Sequence, residues 1–240
     1  MLKFIDELMS YYSDQAVFNP WNDYSTQLDI GPDAPMLRIN HLQRFLEPRI
    51  SNARYIFVAE ALGFQGGHFS GIPMTSEIMI TGNHLEVDYQ HVFHGKVGRR
   101  TSNPNSQFPR FKMIWKKRGA SEPTATIVWK TILENNVDPF EIILWNIFPF
   151  HPYDPAVGLL SNRTPEPNEL KLGVYYLKRL LNLCPQNIKV IAIGNHSTNT
   201  LNQHEIENIP IRHPANGGAP AFKEGCKRIF TVNDVNNFLK

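Results

Sequence analysis

Cysteine is scarce in this chain of 240 residues, with only Cys184 and Cys226 present. Two thiols cannot build a disulfide framework, a four-thiolate metal site or an iron–sulfur centre. Both read as reduced, partly buried thiols. Long apolar runs are missing too, and none approaches the ~20 residues of a membrane-spanning helix. The opening stretch Met1–Tyr12 carries acids between apolar Leu2, Ile5, Leu8 and Met9, the pattern of an amphipathic helix and not of a secretion signal. A cytoplasmic protein with no membrane partner is therefore expected. Net charge is only +2, too little to argue for nucleic acid by itself. Internal repeats and low-complexity tracts are absent. With 42% hydrophobic and 19% charged residues the chain can bury a sizeable core, and one domain over residues 1–240 is expected.

The distribution of charge says more than its sum. Lys96, Arg99, Arg100, Arg110, Lys112, Lys116, Lys117 and Arg118 follow one another with no acid among them, and Phe108, Phe111 and Trp115 are interleaved. A basic tract with aromatics suits a phosphate backbone. It suits a solvated loop and helix face equally well.

Three short apolar runs read as buried parallel strands: Tyr55–Glu60 (YIFVAE), Glu141–Asn146 (EIILWN) and Lys189–Ile193 (KVIAI). Ile209–Arg212 is a weaker fourth. Helical patterns lie between them over Ala125–Asn135, over Glu169–Leu183 with Asn168 as the expected N-cap, and over Ser197–Gln203. Strands alternating with helices predict an α/β fold, a three-layer αβα domain around a central, mainly parallel, roughly four-stranded sheet. Ligands of such sheets sit outside the carboxyl ends of the strands. That rule selects Glu60–Gly71, Asn146–His151, Gly194–Ser197 and His213–Ala219, all rich in Gly, Asn, His and Pro.

The first of these segments reads Ala59-Glu60-Ala61-Leu62-Gly63, then Gly67-His68-Phe69-Ser70-Gly71. It is neither a P-loop nor a spaced dinucleotide-binding fingerprint. It resembles the G-E-A-P-G and G-x-P-F-x-G motifs of the iron–sulfur branch of the uracil-DNA glycosylase superfamily. Asn146, closing IILWN, is similar to the Asn that ends the superfamily's second strand. His213-Pro214-Ala215-Asn216-Gly217-Gly218 resembles its last motif, H-P-S or a relative. The three motifs occur in the family's order and span most of the chain. There are departures. Ala59 stands for the motif's first Gly and Leu62 for its Pro, the segment between Gly63 and Phe69 is shorter, and an acidic pair is missing. The four cluster cysteines are absent, so no iron–sulfur cluster and no other cofactor or metal is expected. Where the best-known branch has an Asp this chain has Ala61, and where that branch has a thymine-excluding Tyr it has Gly63.

The resemblance implies an enzyme that hydrolyses the N-glycosidic bond of uracil, or a related deaminated base, flipped out of DNA. It is expected to act as a monomer on uracil-containing or otherwise base-damaged DNA. Ala61, Gly63, Phe69 and Asn146 would hold the base: Phe69 as a stacking face, Asn146 as a carboxamide matching the O4 and N3–H edge of uracil. Asn146 read without the resemblance is also a cap for the turn after a strand. His213 would donate to the uracil O2 as negative charge develops there. Glu60 would stabilise the sugar cation or orient water, or else be a salt-bridged carboxylate at a strand end. Arg99, Arg100, Lys116, Lys117, Pro214, Asn216 and Gly217 would contact the DNA. Two other functions remain open on the residues alone. One is a non-catalytic DNA- or nucleotide-binding protein of the same fold. The other is a metal-dependent phosphoesterase using His84, Asp88, His91 and His94 with His151 or His204, although no His-Glu-x-x-His framework accompanies them.

Overall fold

A computed structural model describes residues 1–13 and 15–238, with side chains through residue 231. An N-terminal helix, α1 (Leu2–Met9), buries Phe4, Ile5 and Leu8 and leaves Leu2 exposed. Strand β1 (Val17–Phe18) and helix α2 (Ala34–Leu46) lead into the central strand β2 (Tyr55–Ala61). Four short helices follow, α3 (Gly67–Ser70), α4 (Glu77–Ile80), α5 (Tyr89–Val92) and α6 (Met113–Arg118), and then the longer α7 (Pro123–Glu134). The remainder is β3 (Ile142–Phe148), β4 (His151–Pro152), α8 (Pro167–Leu181), β5 (Lys189–Ile193), α9 (Asn195–Gln203), β6 (Ile209–Ile211) and α10 (Ala219–Phe238).

The fold is α/β, as the alternating pattern predicts. Strands β3, β2, β5 and β6 form one sheet in that order, every neighbouring pair parallel. Val58 pairs with Trp145 and Phe57 with Leu144, so Phe57 and Trp145 project from opposite faces. Phe57 and Tyr55 meet Phe230 of α10, whereas Trp145 meets Phe4 of α1. Helices thus cover both faces, the three-layer arrangement, and this explains why the strands are apolar along their whole length. β1 and β4 pair antiparallel as a small separate ribbon.

Most element boundaries shift by one or two residues from the sequence reading, and two of the differences have a clear physical cause. β3 continues two residues past Asn146, because Ile147 and Phe148 are fully buried and Ala61 still pairs with Phe148. The N-cap of α8 is Glu166, not Asn168, which lies in the first turn. Glu169 accepts the Glu166 backbone N–H at 2.7 Å and is held in turn by two hydrogen bonds from Arg163. A local cap built by an acid three residues on, and braced from outside the helix, has no signature at Asn168.

Inside the sheet's surroundings, charged groups are buried only with partners. The Arg38–Asp29 pair is fully buried at 2.7 Å. The Arg49 guanidinium, also inaccessible, donates to the carbonyls of Ile142, Phe45, Val92 and His91 and so ties α2 to the start of β3. Glu77 gathers the backbone N–H groups of Thr101, Ser102 and Ala120 and both hydroxyls of Thr101 and Ser102 on one buried carboxylate. Two separate stretches of chain converge on it.

α8 lies close against β3 at a glycine. A Cβ on Gly173 would fall 2.2 Å from the Ile147 carbonyl oxygen and 2.9 Å from the Phe148 Cα, both backbone atoms unable to swing aside. Gly173→Ala should therefore destabilise the fold by about 1–3 kcal/mol, although alanine is the better helix former. Urea unfolding of the two proteins measures this, and equal midpoints would contradict the close packing.

Candidate active site

The chain leaves β2 toward β3 on one side and leaves β5 toward β6 on the other. Connections diverging from two adjacent parallel strands open a crevice at their carboxyl ends. A cleft of about 490 Å³ lies there, within the range of small-molecule sites. Its walls come from the ends of β2 and β5, from Asn146 of β3, from the His213–Asn216 loop after β6, and from Glu122 and Thr124 at the start of α7.

Asn146 is the polar interruption of an otherwise apolar strand, and it is 2% exposed. Its Nδ2 donates to the Ala61 carbonyl at 2.9 Å. Its Oδ1 is buried and accepts from nothing in the protein. An unmatched buried acceptor costs about 1–3 kcal/mol, so one kept at the wall of a cleft is the group that a ligand N–H would satisfy.

His213 is half-buried at the same cleft. The Ala215 backbone N–H donates to its Nδ1 at 3.1 Å, so the neutral ring carries its proton on Nε2. Burial, with Arg212 beside it, lowers its pKa below the ordinary value of 6.5. It is therefore a neutral Nε2–H donor near pH 7. Gly194 makes room for it: the residue is left-handed (φ +85) and a Cβ there would sit 3.0 Å from the His213 Cβ.

Glu60 also lines the cleft, at 28% side-chain exposure, with its Oε1 3.3 Å from Nδ1 of the exposed His196. The two readings of Glu60, site carboxylate and ion-paired strand end, therefore describe one position. Ala61 and Gly63 also line it, and a Cβ on Gly63 would make an ordinary contact with Asn162 at 3.8 Å. Asn216 reaches the same cleft, with Pro214 buried beside it and Gly217 in a left-handed turn (φ +74) at the loop's tip.

Phe69 does not join them. It is fully buried in a separate apolar cluster, 6.1 Å between ring centroids from both Phe111 and Trp115. The cause is the turn that carries it: Gly67–Ser70 closes into one helical turn ended by left-handed Gly71, whose missing Cβ lets the Arg38 backbone approach. The ring points into that cluster, so the expected stacking face is corrected to a wall-supporting residue. Arg100 is likewise turned inward, donating to the carbonyls of Ser102, Lys116 and Trp115, and closes the end of α6 instead of facing solvent. Arg99 is exposed, 3.4 Å from Asp33, Lys117 is exposed and Lys116 half-buried. Helix α6, which carries Lys116 and Lys117, packs through Trp115 on Phe64, the neighbour of the cleft residue Gly63.

The cleft also holds residues that the sequence did not single out: Glu122, Thr124, Asn162, Arg163, His196 and Arg212. His196 had the clearest signal, two residues past a strand-ending Gly194. Asn162 accepts the Phe64 backbone N–H, and Arg163 is chelated by Glu169. A buried histidine pair braces this wall. His151 Nε2–H donates to the Ser161 carbonyl at 2.7 Å, which leaves its Nδ1 as acceptor for the Nδ1–H of His68 at 3.0 Å.

The loose histidine cluster near residue 84 has local work. His84 Nδ1 accepts from the Glu86 and Val87 N–H groups, Asp88 caps α5, and His94 stacks on Phe140. Among the described residues no three His, Cys, Asp or Glu side chains gather as a metal ion requires. Nor is any helix among them long and apolar enough to cross a membrane. The chain matches no protein-family model and no curated protein.

Burial lowers His41 and His151 from 6.5 to about 4 and holds His68 well below 6.5. Each is neutral in the folded protein, while the unfolded chain takes up the proton first as pH falls below 6.5. Their contribution is therefore whole above pH 6.5 and drains away toward pH 4. Denaturant unfolding should show stability falling by several kcal/mol over that window. A flat profile there would contradict the neutral histidine brace.

Proposed function

We propose that this protein is a DNA glycosylase that hydrolyses the N-glycosidic bond of uracil, or a related deaminated base, extruded from DNA. One observation carries the reading. Asn146, with its buried orphan acceptor, and His213, a neutral Nε2–H donor, line one cleft at the carboxyl edge of the sheet. A flipped pyrimidine needs that pair: an acceptor for its N3–H and a donor for its O2.

In this reading the base leaves its stack at a cost of a few kcal/mol, lower for a mispair. Asn146 Oδ1 accepts from N3–H, a contact that cytosine, with a lone pair at that nitrogen, cannot make. As the C1′–N1 bond breaks, its electron pair passes to the base, and His213 stabilises the negative charge gathering on O2. The Glu60 carboxylate offsets the positive charge on the sugar and orients the water that adds to C1′. Phe69 takes no part, and apolar contact with the base falls to Leu62 and Met74 of the cleft wall. DNA contacts fall to the Pro214–Gly217 loop and to Arg99, Lys116 and Lys117, while Arg100 supports them from within.

The alternative, a DNA- or nucleotide-binding protein that cuts nothing, draws on the withdrawn Phe69 and on the small side chain of Ala61. Incubation with a uracil-containing oligonucleotide decides between them. Free uracil and an alkali-labile abasic site are expected. His213→Ala should lose at least about 100-fold in single-turnover rate, the usual cost of one donor to a developing anion, and Asn146→Ala, which removes the acceptor for N3–H, a similar factor, both variants remaining folded. Full activity in both variants would remove the site assignment, and tight binding without release would favour the alternative.

A further inference from the structure

The two histidines that line the cleft are not equivalent. His213 accepts the Ala215 N–H on Nδ1 and carries its own proton on Nε2, so it can donate but has no free lone pair. His196 is arranged the other way round. It sits in the first turn of α9, which is fastened to two strands. The buried Ser197 hydroxyl donates to the Val58 carbonyl of β2 at 2.6 Å, and the Gly194 N–H donates to the Ile211 carbonyl of β6 at 2.8 Å. His196 Nδ1 thereby stands 3.3 Å from Oε1 of Glu60, near the end of that same β2. A carboxylate beside Nδ1 favours the tautomer with its proton on that nitrogen, which leaves the lone pair of Nε2 free. Among the described residues neither His196 Nε2 nor Glu60 Oε2 has a partner.

We propose that His196 is the base that takes the proton of the attacking water, with Glu60 holding its ring in the tautomer that leaves Nε2 free. The inference rests on the glycosylase reading and extends it, because Glu60 then acts on the water through His196 as well as from its own Oε2. As the C1′–N1 bond breaks, its electron pair leaves with the base. The water oxygen bonds to C1′, and the proton it sheds passes to His196 Nε2. The imidazolium so formed faces the Glu60 carboxylate, which offsets its charge, and it then returns the proton to solvent. The departed base anion takes up a proton from solvent in turn. The two histidines thus divide the reaction between them: His213 serves the base that leaves and His196 the water that arrives.

Exposure suits the role. The His196 side chain is 76% exposed and that of Glu60 28%, so the pair stands where the cleft opens to solvent. Water reaches Nε2 directly there, and the proton leaves by the same route. A carboxylate that orients an imidazole whose other nitrogen works on the nucleophile is a recurrent catalytic arrangement. An ion pair this exposed adds little to stability, so its removal is read in the rate and not in the fold.

The test measures single-turnover release of uracil from a deoxyuridine oligonucleotide, with and without added imidazole. His196→Ala should lose about 100-fold in rate, the usual contribution of a general base, at an unchanged melting temperature. Free imidazole enters the exposed space left by the side chain and should restore part of the loss in proportion to its concentration. It should do nothing for the wild type. Glu60→Gln should also be slow, and combining it with His196→Ala should cost less than the product of the two separate losses, because the residues act as a unit. A wild-type rate in His196→Ala, a loss that imidazole leaves untouched, or fully multiplicative losses would overturn this proposal and leave the glycosylase reading standing. No uracil release by the wild type would overturn both.

Discussion

The arrangement depends on β2 being paired in parallel on both edges, with β3 on one side and β5 on the other. Parallel neighbours put all their carboxyl ends on one edge of the sheet, and the diverging connections there leave a gap that no helix fills. The same pairing buries the strands on both faces, so almost every strand side chain is apolar. Against that background a single carboxamide at Asn146 is expensive. Its one protein hydrogen bond, to the end of β2, fixes the amide's orientation and leaves its Oδ1 buried and unmatched in a residue that lines the gap. The sheet thus creates the cleft and also sets a preoriented acceptor in its wall.

The walls of the gap are loops, and loops hold a geometry only when something ties them down. Buried polar groups do so here. Glu77 joins α4 to the stretches around residues 101 and 120, which sets the position of Glu122. The His68–His151–Ser161 chain joins the glycine turn after β2 to the loop that carries Asn162 and Arg163. The Phe69, Phe111 and Trp115 cluster fastens the basic helix α6 to that same wall. Each tie spans residues far apart in sequence, and each costs desolvation that only a complete set of partners offsets.

That distance explains what could be read from the chain alone. β2 and β5 were legible because each is a continuous apolar run between polar ends, and their carboxyl ends pointed to Glu60 and Gly194, as the weaker run of β6 pointed to His213. The end of β3 was not, since Asn146 looks like a stop when the apolar pattern is read locally, while pairing of Ala61 with Phe148 carries the strand onward. Phe69 sits in a glycine-rich turn, and no local rule says that its ring will be drawn toward Trp115, 46 residues further along the chain. Glu122 reaches the cleft only because Ser76 and Glu77 pin its segment across more than forty residues. Its neighbours in sequence, Ser121 and Pro123, announce a helix start and nothing about a cleft.

The central claim is that Asn146 and His213 grip one base between them. Its most direct test is a crystal structure of the protein with duplex DNA carrying 2′-fluoro-2′-deoxyuridine, whose glycosidic bond resists cleavage. The account predicts the uracil rotated out of the helix into the cleft, its N3–H on Asn146 Oδ1 and its O2 on His213 Nε2. A uracil still stacked in the duplex, or seated away from the carboxyl edge of the sheet, would contradict it.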